Sequence, residues 1–236
     1  MRFSAAITNE NARGFAAVIP DIKCVSPKEG DLLRGRNPVK TAKLLIDCGA
    51  PVLSVVTENE HFGGSPALLH SIAGIGVPVL RKDFITDEAQ LHETLEMGAA
   101  AVLLICATTE PAILARLYAR ALQLGLEPLV EVCSTEEMRF ARDLGAQIVG
   151  INNRNIASLE FDSGGPSRTA ALAREAPRGA LLISESGIVT PQDAKQAIAT
   201  GANALLVGTA LWQADDMAAA YRSLRVERRD DSCVQS

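Results

Sequence analysis

The sequence predicts a single-domain α/β chain folded as a (β/α)8 (TIM) barrel. Three observations carry this: eight continuously apolar runs, helix-like stretches between them, and ionisable or amide residues closing most of the runs. The first run, Ala16–Ile22, leads into Lys23, and the second, Val52–Thr57, into Glu58. Val77–Leu80 continues through Arg81 to Lys82, and Ala101–Ile105 follows. Pro128–Val132 carries Glu131, Ile148–Ile151 ends at Asn152, Ala180–Ile183 leads to Ser184 and Glu185, and Ala204–Val207 leads to Gly208 and Thr209. Unbroken apolarity, rather than alternation, marks parallel strands covered by helices on one side and packed side chains on the other.

The intervening segments read as helices with matching ends. Glu88 to Gly98 places Leu91, Leu95 and Met97 toward the barrel and a glycine just past the last turn. The same helix-then-Gly-Ala stop recurs at Gly49-Ala50, Gly145-Ala146 and Gly201-Ala202, so one unit repeats four times. Residues 1–15 form a short N-terminal segment and 16–224 the barrel. Residues 225–236 carry charge without hydrophobic periodicity and read as a disordered tail.

Composition narrows the function. A chain of 236 residues with 47% hydrophobic content can bury one full core. A net charge of −5 argues against nucleic acid as a partner. The cysteines, Cys24, Cys48, Cys106, Cys133 and Cys233, are odd in number and lack metal-ligand spacing, so they read as reduced thiols of a cytoplasmic protein. No apolar stretch is long enough to span a bilayer, and the polar N-terminus does not read as a signal peptide. The three histidines show no ligand spacing and no dinucleotide or Walker glycine pattern occurs, so neither metal nor cofactor is expected.

In such a barrel the strand ends converge at the C-terminal face, which makes the closing residues neighbours. Lys23, Lys82 and Glu131 at one mouth point to acid–base chemistry; the competing reading pairs the lysines with Asp21 and Asp83 as plain ion pairs. Asn152 and Arg154, in Asn152-Asn153-Arg154-Asn155, offer amide donors and a guanidinium suited to a carboxylate, although Asn-rich stretches also serve as turns. Small residues after the last two strands, in Ser184-Glu185-Ser186-Gly187 and Gly208-Thr209, let backbone N–H groups approach a phosphate. Ser26 to Gly30 and His61 to Ser65 read as mobile loops bordering the mouth, and Phe62 and Phe84 as candidates for an aromatic wall.

Seven segments in order, Asp21-Ile-Lys-Cys-Val-Ser-Pro, Thr57-Glu-Asn-Glu-His-Phe-Gly-Gly-Ser, Leu80-Arg-Lys-Asp-Phe-Ile, Pro128-Leu-Val-Glu-Val, Gly150-Ile-Asn-Asn-Arg-Asn, Ser184-Glu-Ser-Gly-Ile and Val207-Gly-Thr-Ala-Leu, resemble the indole-3-glycerol-phosphate synthase family. The resemblance implies a cofactor-free carbon–carbon lyase that closes the indole ring of 1-(2-carboxyphenylamino)-1-deoxyribulose 5-phosphate, losing carbon dioxide and water. It implies Lys82 as general acid, Lys23 beside the substrate carboxylate, Glu131 in the dehydration, and Asp21 and Asn152 among the catalytic groups. Ser26, Phe84, Arg154, Glu185 and Ser186 would bind substrate, and Gly187, Gly208 and Thr209 the phosphate. Two departures stand out: Asp21 replaces the family's glutamate, and the segment before the first strand is shorter than the family's, which would leave the aromatic end of the site more open. Trp212 stands where the family often has methionine and reads as packing. A paralogue for another arylamino sugar phosphate, and a barrel that binds sugar phosphate without catalysis, are the alternatives. A monomer or weak homodimer is expected.

Overall fold

The computed structural model describes residues 2–154 and 166–228. Eight parallel strands close into a barrel: β1 (Ala17–Ile22), β4 (Leu53–Val56), β5 (Val79–Lys82), β6 (Ala101–Ile105), β7 (Glu127–Val132), β8 (Ile148–Asn152), β9 (Leu181–Glu185) and β10 (Ala204–Val207). Each pairs with its sequence neighbours, and β10 closes the ring on β1. A hairpin of β2 (Val25–Ser26) and β3 (Gly30–Asp31) occupies the stretch read as a mobile loop. There the Ser26 hydroxyl accepts the Glu29 N–H and Gly30 takes a positive φ, which closes the turn.

Helices α2 (Pro38–Asp47), α3 (Pro66–Ala73), α4 (Glu88–Glu96), α5 (Pro111–Gln123), α6 (Thr135–Asp143), α7 (Ser167–Leu172), α8 (Pro191–Ala199), α9 (Thr209–Gln213) and α10 (Met217–Leu224) follow the strands. Their starts are set locally. Asn37, Ser65, Asp87, Ser134, Thr190 and Asp216 each accept an N–H of the first turn, and α2, α3, α5 and α8 open on proline. Their stops repeat as the sequence reading expects: Gly49, Gly98, Gly145 and Gly201 are left-handed. The alanine after each, Ala50, Ala99, Ala146 and Ala202, is buried and donates back to a carbonyl five residues earlier.

One helix face differs from its sequence reading. Leu91 is fully buried and Met97 buried, but Leu95 is exposed and Thr94 takes the inward position. The cause is Arg81, buried under α4: its guanidinium needs acceptors there and donates to Thr94 Oγ1 at 3.0 Å and to the Gln90 carbonyl at 2.8 Å.

Helix α1 (Phe3–Ala12) covers the N-terminal end of the barrel, opposite the mouth. Phe3 and Ile7 are fully buried against Ala17, Ile19, Leu103 and Leu129 of the barrel interior. Glu127, at the start of β7, accepts the N–H groups of Phe3 and Ser4 and the Ser4 hydroxyl. The first residues of the expected tail are held as well. Arg225 pairs with Glu10 at 2.5 Å and stacks on Phe15, while Glu227 bridges to Phe15. The rest of that tail, 229–236, and Cys233 with it, lie outside the described residues. Among the described residues no helix is long and apolar enough to cross a membrane.

The strand period of two places every other residue inside the barrel. Ala17 and Ile19, Leu80, Leu129, Ile183 and Leu206 fill that interior, whereas Val18, Val55, Val130, Ile151 and Leu205 face the helices. Continued upward, the inward series ends in Asp21, Lys82, Glu131, Asn152 and Glu185. The site is the topmost layer of the core.

Candidate active site

A cavity of about 280 Å³ opens at the C-terminal end of the strands. Its wall includes Asp21, Lys23, Lys82, Phe84, Asn152, Arg154, Glu185, Ser186, Gly187, Gly208 and Thr209, eleven of the thirteen candidates named from sequence. Glu131 and Ser26 lie just behind that wall: both are buried, Glu131 on β7 beneath Asn152 and Ser26 in the hairpin over the first loop. Phe62 lines the cavity with Phe84, and the Lys23 ammonium sits 5.5 Å from the centre of the Phe62 ring.

Lysine, amide and carboxyl side chains interlock here. Lys23 is buried; Lys82 is half-buried, between Arg81 and Asp83 in sequence. The Asp83 carboxylate accepts from the Arg81 guanidinium at 3.0 Å, the Thr57 hydroxyl at 2.5 Å and the Phe84 N–H. Asp21 accepts the Ser54 hydroxyl at 2.6 Å, and its backbone carbonyl accepts the Trp212 indole N–H at 2.9 Å. Trp212 therefore does more than fill space; it ties α9 to the end of β1.

Glu131 and Glu185 form the centre. Asn152 donates to Glu131 Oε1 at 3.1 Å, while Glu131 Oε2 and both Glu185 oxygens find no donor among the described residues. The two carboxyls lie within reach of each other, and burial, with Glu131 next in weight, raises the Glu185 pKa well above the ordinary carboxylate value; Lys82 pulls the other way. Two buried carboxyls in contact cannot both ionise cheaply, and Lys82 offsets part of that cost at Glu185. Space for this comes from Gly150 on β8: a Cβ there would stand 2.0 Å from Glu185 Oε1 and 2.7 Å from Leu129. Glycine inside a strand signals such a close approach, and that signal was present in Val149-Gly150-Ile151.

Across the cavity, Ser186 and Gly187 follow β9 with φ of 64° and 69°, and Gly208 precedes α9. Gly208 passes close to Asp21, where a Cβ would lie 3.2 Å from that of Asp21. Arg154 lines the cavity with its Nε buried and unpartnered among the described residues. Asn155, last of the Asn-rich run, lies outside them.

Comparison with known proteins identifies the family. The sequence model of indole-3-glycerol phosphate synthase matches residues 1–224. The chain belongs to the indole-3-glycerol phosphate synthase family. It is 41% identical over 202 residues to the indole-3-glycerol phosphate synthase of Pyrococcus furiosus, covering 85% of this chain and 88% of that protein. It is 38% identical over 212 residues to that of Carboxydothermus hydrogenoformans, with 89% and 80% covered. The protein of the same name from Aromatoleum aromaticum is 40% identical over 223 residues, with 94% and 84% covered.

The structure adds residues the sequence reading passed over. Asn153, Thr169 and Ser184 form a buried hydrogen-bonded group behind the β8 and β9 ends. Glu58, Glu60 and His61 bring ligand atoms within 4.8 Å of one another, a grouping that linear spacing did not show. The Glu58 carboxylate there accepts the N–H groups of Glu60, His61 and Phe62 and so shapes the turn.

Proposed function

We propose that this chain closes the indole ring of 1-(2-carboxyphenylamino)-1-deoxyribulose 5-phosphate, giving indole-3-glycerol phosphate, carbon dioxide and water. The observation that carries the reading is the convergence of Lys23, Lys82, Asn152, Arg154 and Glu185 on one cavity bordered by the two glycine loops, in a chain of this family. The phosphate is assigned to Gly187, Gly208 and Thr209, where backbone N–H groups can approach it. Arg154, whose Nε has no partner among the described residues, is assigned with Lys23 to the substrate carboxylate. Phe84 and Phe62 flank the aryl ring.

Chemistry then follows from position. The aryl carbon bearing the carboxylate attacks the ribulose carbonyl carbon while Lys82 protonates the carbonyl oxygen. Carbon dioxide leaves and its bonding electrons restore the aromatic ring. The new hydroxyl departs as water, taking a proton, as the carbon beside nitrogen loses one. Overall one proton is consumed, and the Glu131–Glu185 pair can both give and accept one in the dehydration. Asn152 orients Glu131, and Asp21, fixed by Ser54, completes the polar ring.

The reading includes a cytoplasmic enzyme, monomeric or weakly dimeric, with a small sugar phosphate as its partner. A differently substituted arylamine is the second reading, favoured by Asp21, whose carboxylate is held back against Ser54. The test is formation of the fluorescent indole product from the standard substrate. The wild-type chain should turn it over, and Lys82→Ala should lower kcat about 10²- to 10⁴-fold, the usual worth of a positioned general acid. Equal turnover by the two proteins would remove Lys82 from the mechanism.

A further inference from the structure

Asn153 is 5% exposed and does not line the cavity, yet every polar atom of its side chain is engaged. A primary amide has two donor hydrogens and an oxygen with two lone pairs. Here the oxygen accepts the N–H and the hydroxyl of Thr169, both at 3.0 Å. The nitrogen donates among Ser184 Oγ at 3.0 Å, the Glu185 carbonyl at 2.9 Å and the Ser186 carbonyl at 3.1 Å. The Asn153 backbone N–H adds a further bond to the Glu185 carbonyl at 2.9 Å. Thr169 and Ser184, both fully buried, close the group through a 2.7 Å hydroxyl contact.

One amide thus joins three places: the end of β8, the first turn of α7 and the turn after β9. The last of these is unusual. Ser186 has a φ of 64°, a region that residues with a Cβ disfavour, and it persists only where its surroundings hold it. The two carbonyls that Asn153 grips are those of Glu185 and Ser186, on either side of that rotation. The Glu185 carbonyl is held twice, by the Asn153 side chain and by its backbone N–H, while the carboxyl of the same residue fills the space above Gly150 and the turn carries the chain on to Gly187.

We propose that Asn153 is a positioning residue: it clasps the left-handed Ser186 turn and thereby sets the Glu185 carboxyl against Glu131. The inference rests on the function assigned above to Glu185. It specifies a role in aiming, distinct from binding substrate or merely supporting the fold.

The test is Asn153→Ala, compared with the wild type for melting temperature, kcat, KM and the pH dependence of kcat. The clasp predicts a folded protein whose kcat falls about 10- to 100-fold, the effect of misplacing a catalytic group by roughly 1 Å. KM should change far less, and the pH limb set by the glutamate pair should move. Adding Ser186→Gly to Asn153→Ala should recover part of the lost kcat relative to Ser186→Gly alone, because glycine takes the positive φ without being held. A folded Asn153→Ala enzyme with unchanged kcat and pH profile overturns the proposal, as does a loss that glycine at 186 does not ease.

If Asn153→Ala does not fold, Thr169→Val decides. It removes one hydroxyl from the clasp at nearly constant volume, and the proposal requires a lower kcat with a shifted pH profile. If the wild-type chain itself forms no indole, the functional reading has failed, and the clasp is judged separately by NMR titration of the Glu185 carboxyl in 13C-glutamate-labelled protein. A Glu185 titration that Asn153→Ala leaves in place contradicts it, and one that moves supports it.

Discussion

Strand β7 carries a buried glutamate at each end, and the two have opposite lives. Glu127, at the closed end, is 6% exposed and meets the Phe3 and Ser4 N–H groups, the Ser4 hydroxyl and Arg2. Glu131, two inward positions further along, is 2% exposed, with one oxygen held by Asn152, the other without a donor among the described residues, and the buried Glu185 carboxyl within reach. Both glutamates cost free energy to desolvate. At the closed end hydrogen bonds offset that cost and anchor α1. At the open end the offset is incomplete, which leaves carboxyl chemistry available. The difference teaches that burial alone does not mark a functional carboxyl here; what its oxygens touch does.

The sharpest way to break this contrast is to neutralise each glutamate without changing its shape. Glu131→Gln should lower kcat about 10²- to 10⁴-fold with little change in melting temperature. Glu127→Gln should do the reverse, leaving kcat near wild type and costing about 1–3 kcal/mol of stability, because an amide presents N–H where the start of α1 requires acceptors. Matched losses of activity at both ends would erase the distinction. Gly150→Ala comes next. A methyl there claims the space of the Glu185 carboxyl, so kcat should fall about 10²-fold while circular dichroism stays native; an active Gly150→Ala enzyme would mean that Glu185 can work from elsewhere.

The smallest effect is on stability against pH. The Glu185 pKa is raised in the folded chain above the ordinary 4.5. Between those two values the folded state binds a proton that the unfolded state has released, so stability is full below 4.5 and falls as pH rises toward the folded value. Glu185→Gln removes that titration. Its melting temperature should decline less than the wild type's from pH 4 to pH 8; parallel curves would show that Glu185 ionises freely. Elsewhere burial pushes the Cys106 thiol up to about 12, so alkylation at neutral pH should be slow and should serve as a probe of unfolding.

Much of this was written in local sequence. The barrel was legible because apolar runs and Gly-Ala stops are short-range signals, and each of the four stops forms the same left-handed cap. Most wall residues were legible because the period of two and the strand ends together fix which side chains reach the mouth. Leu95 was misread because helical spacing leaves neighbouring positions nearly equivalent, and Arg81, distant in sequence, decided between them. Asn153 escaped for a related reason: its partners are Thr169, Ser184, Glu185 and Ser186, brought near only when β8, α7 and β9 come together. The hairpin over the first loop depends on the Ser26–Glu29 bond and Gly30, cues that a loop and a hairpin share.

Infrared difference spectroscopy between the wild type and Glu185→Gln at neutral pH reads the glutamate pair directly. The wild type should show the C=O stretch of a protonated carboxylic acid, shifted by deuterium and missing from Glu185→Gln. Carboxylate bands alone would mean that both groups are ionised and that the open end holds no proton to give.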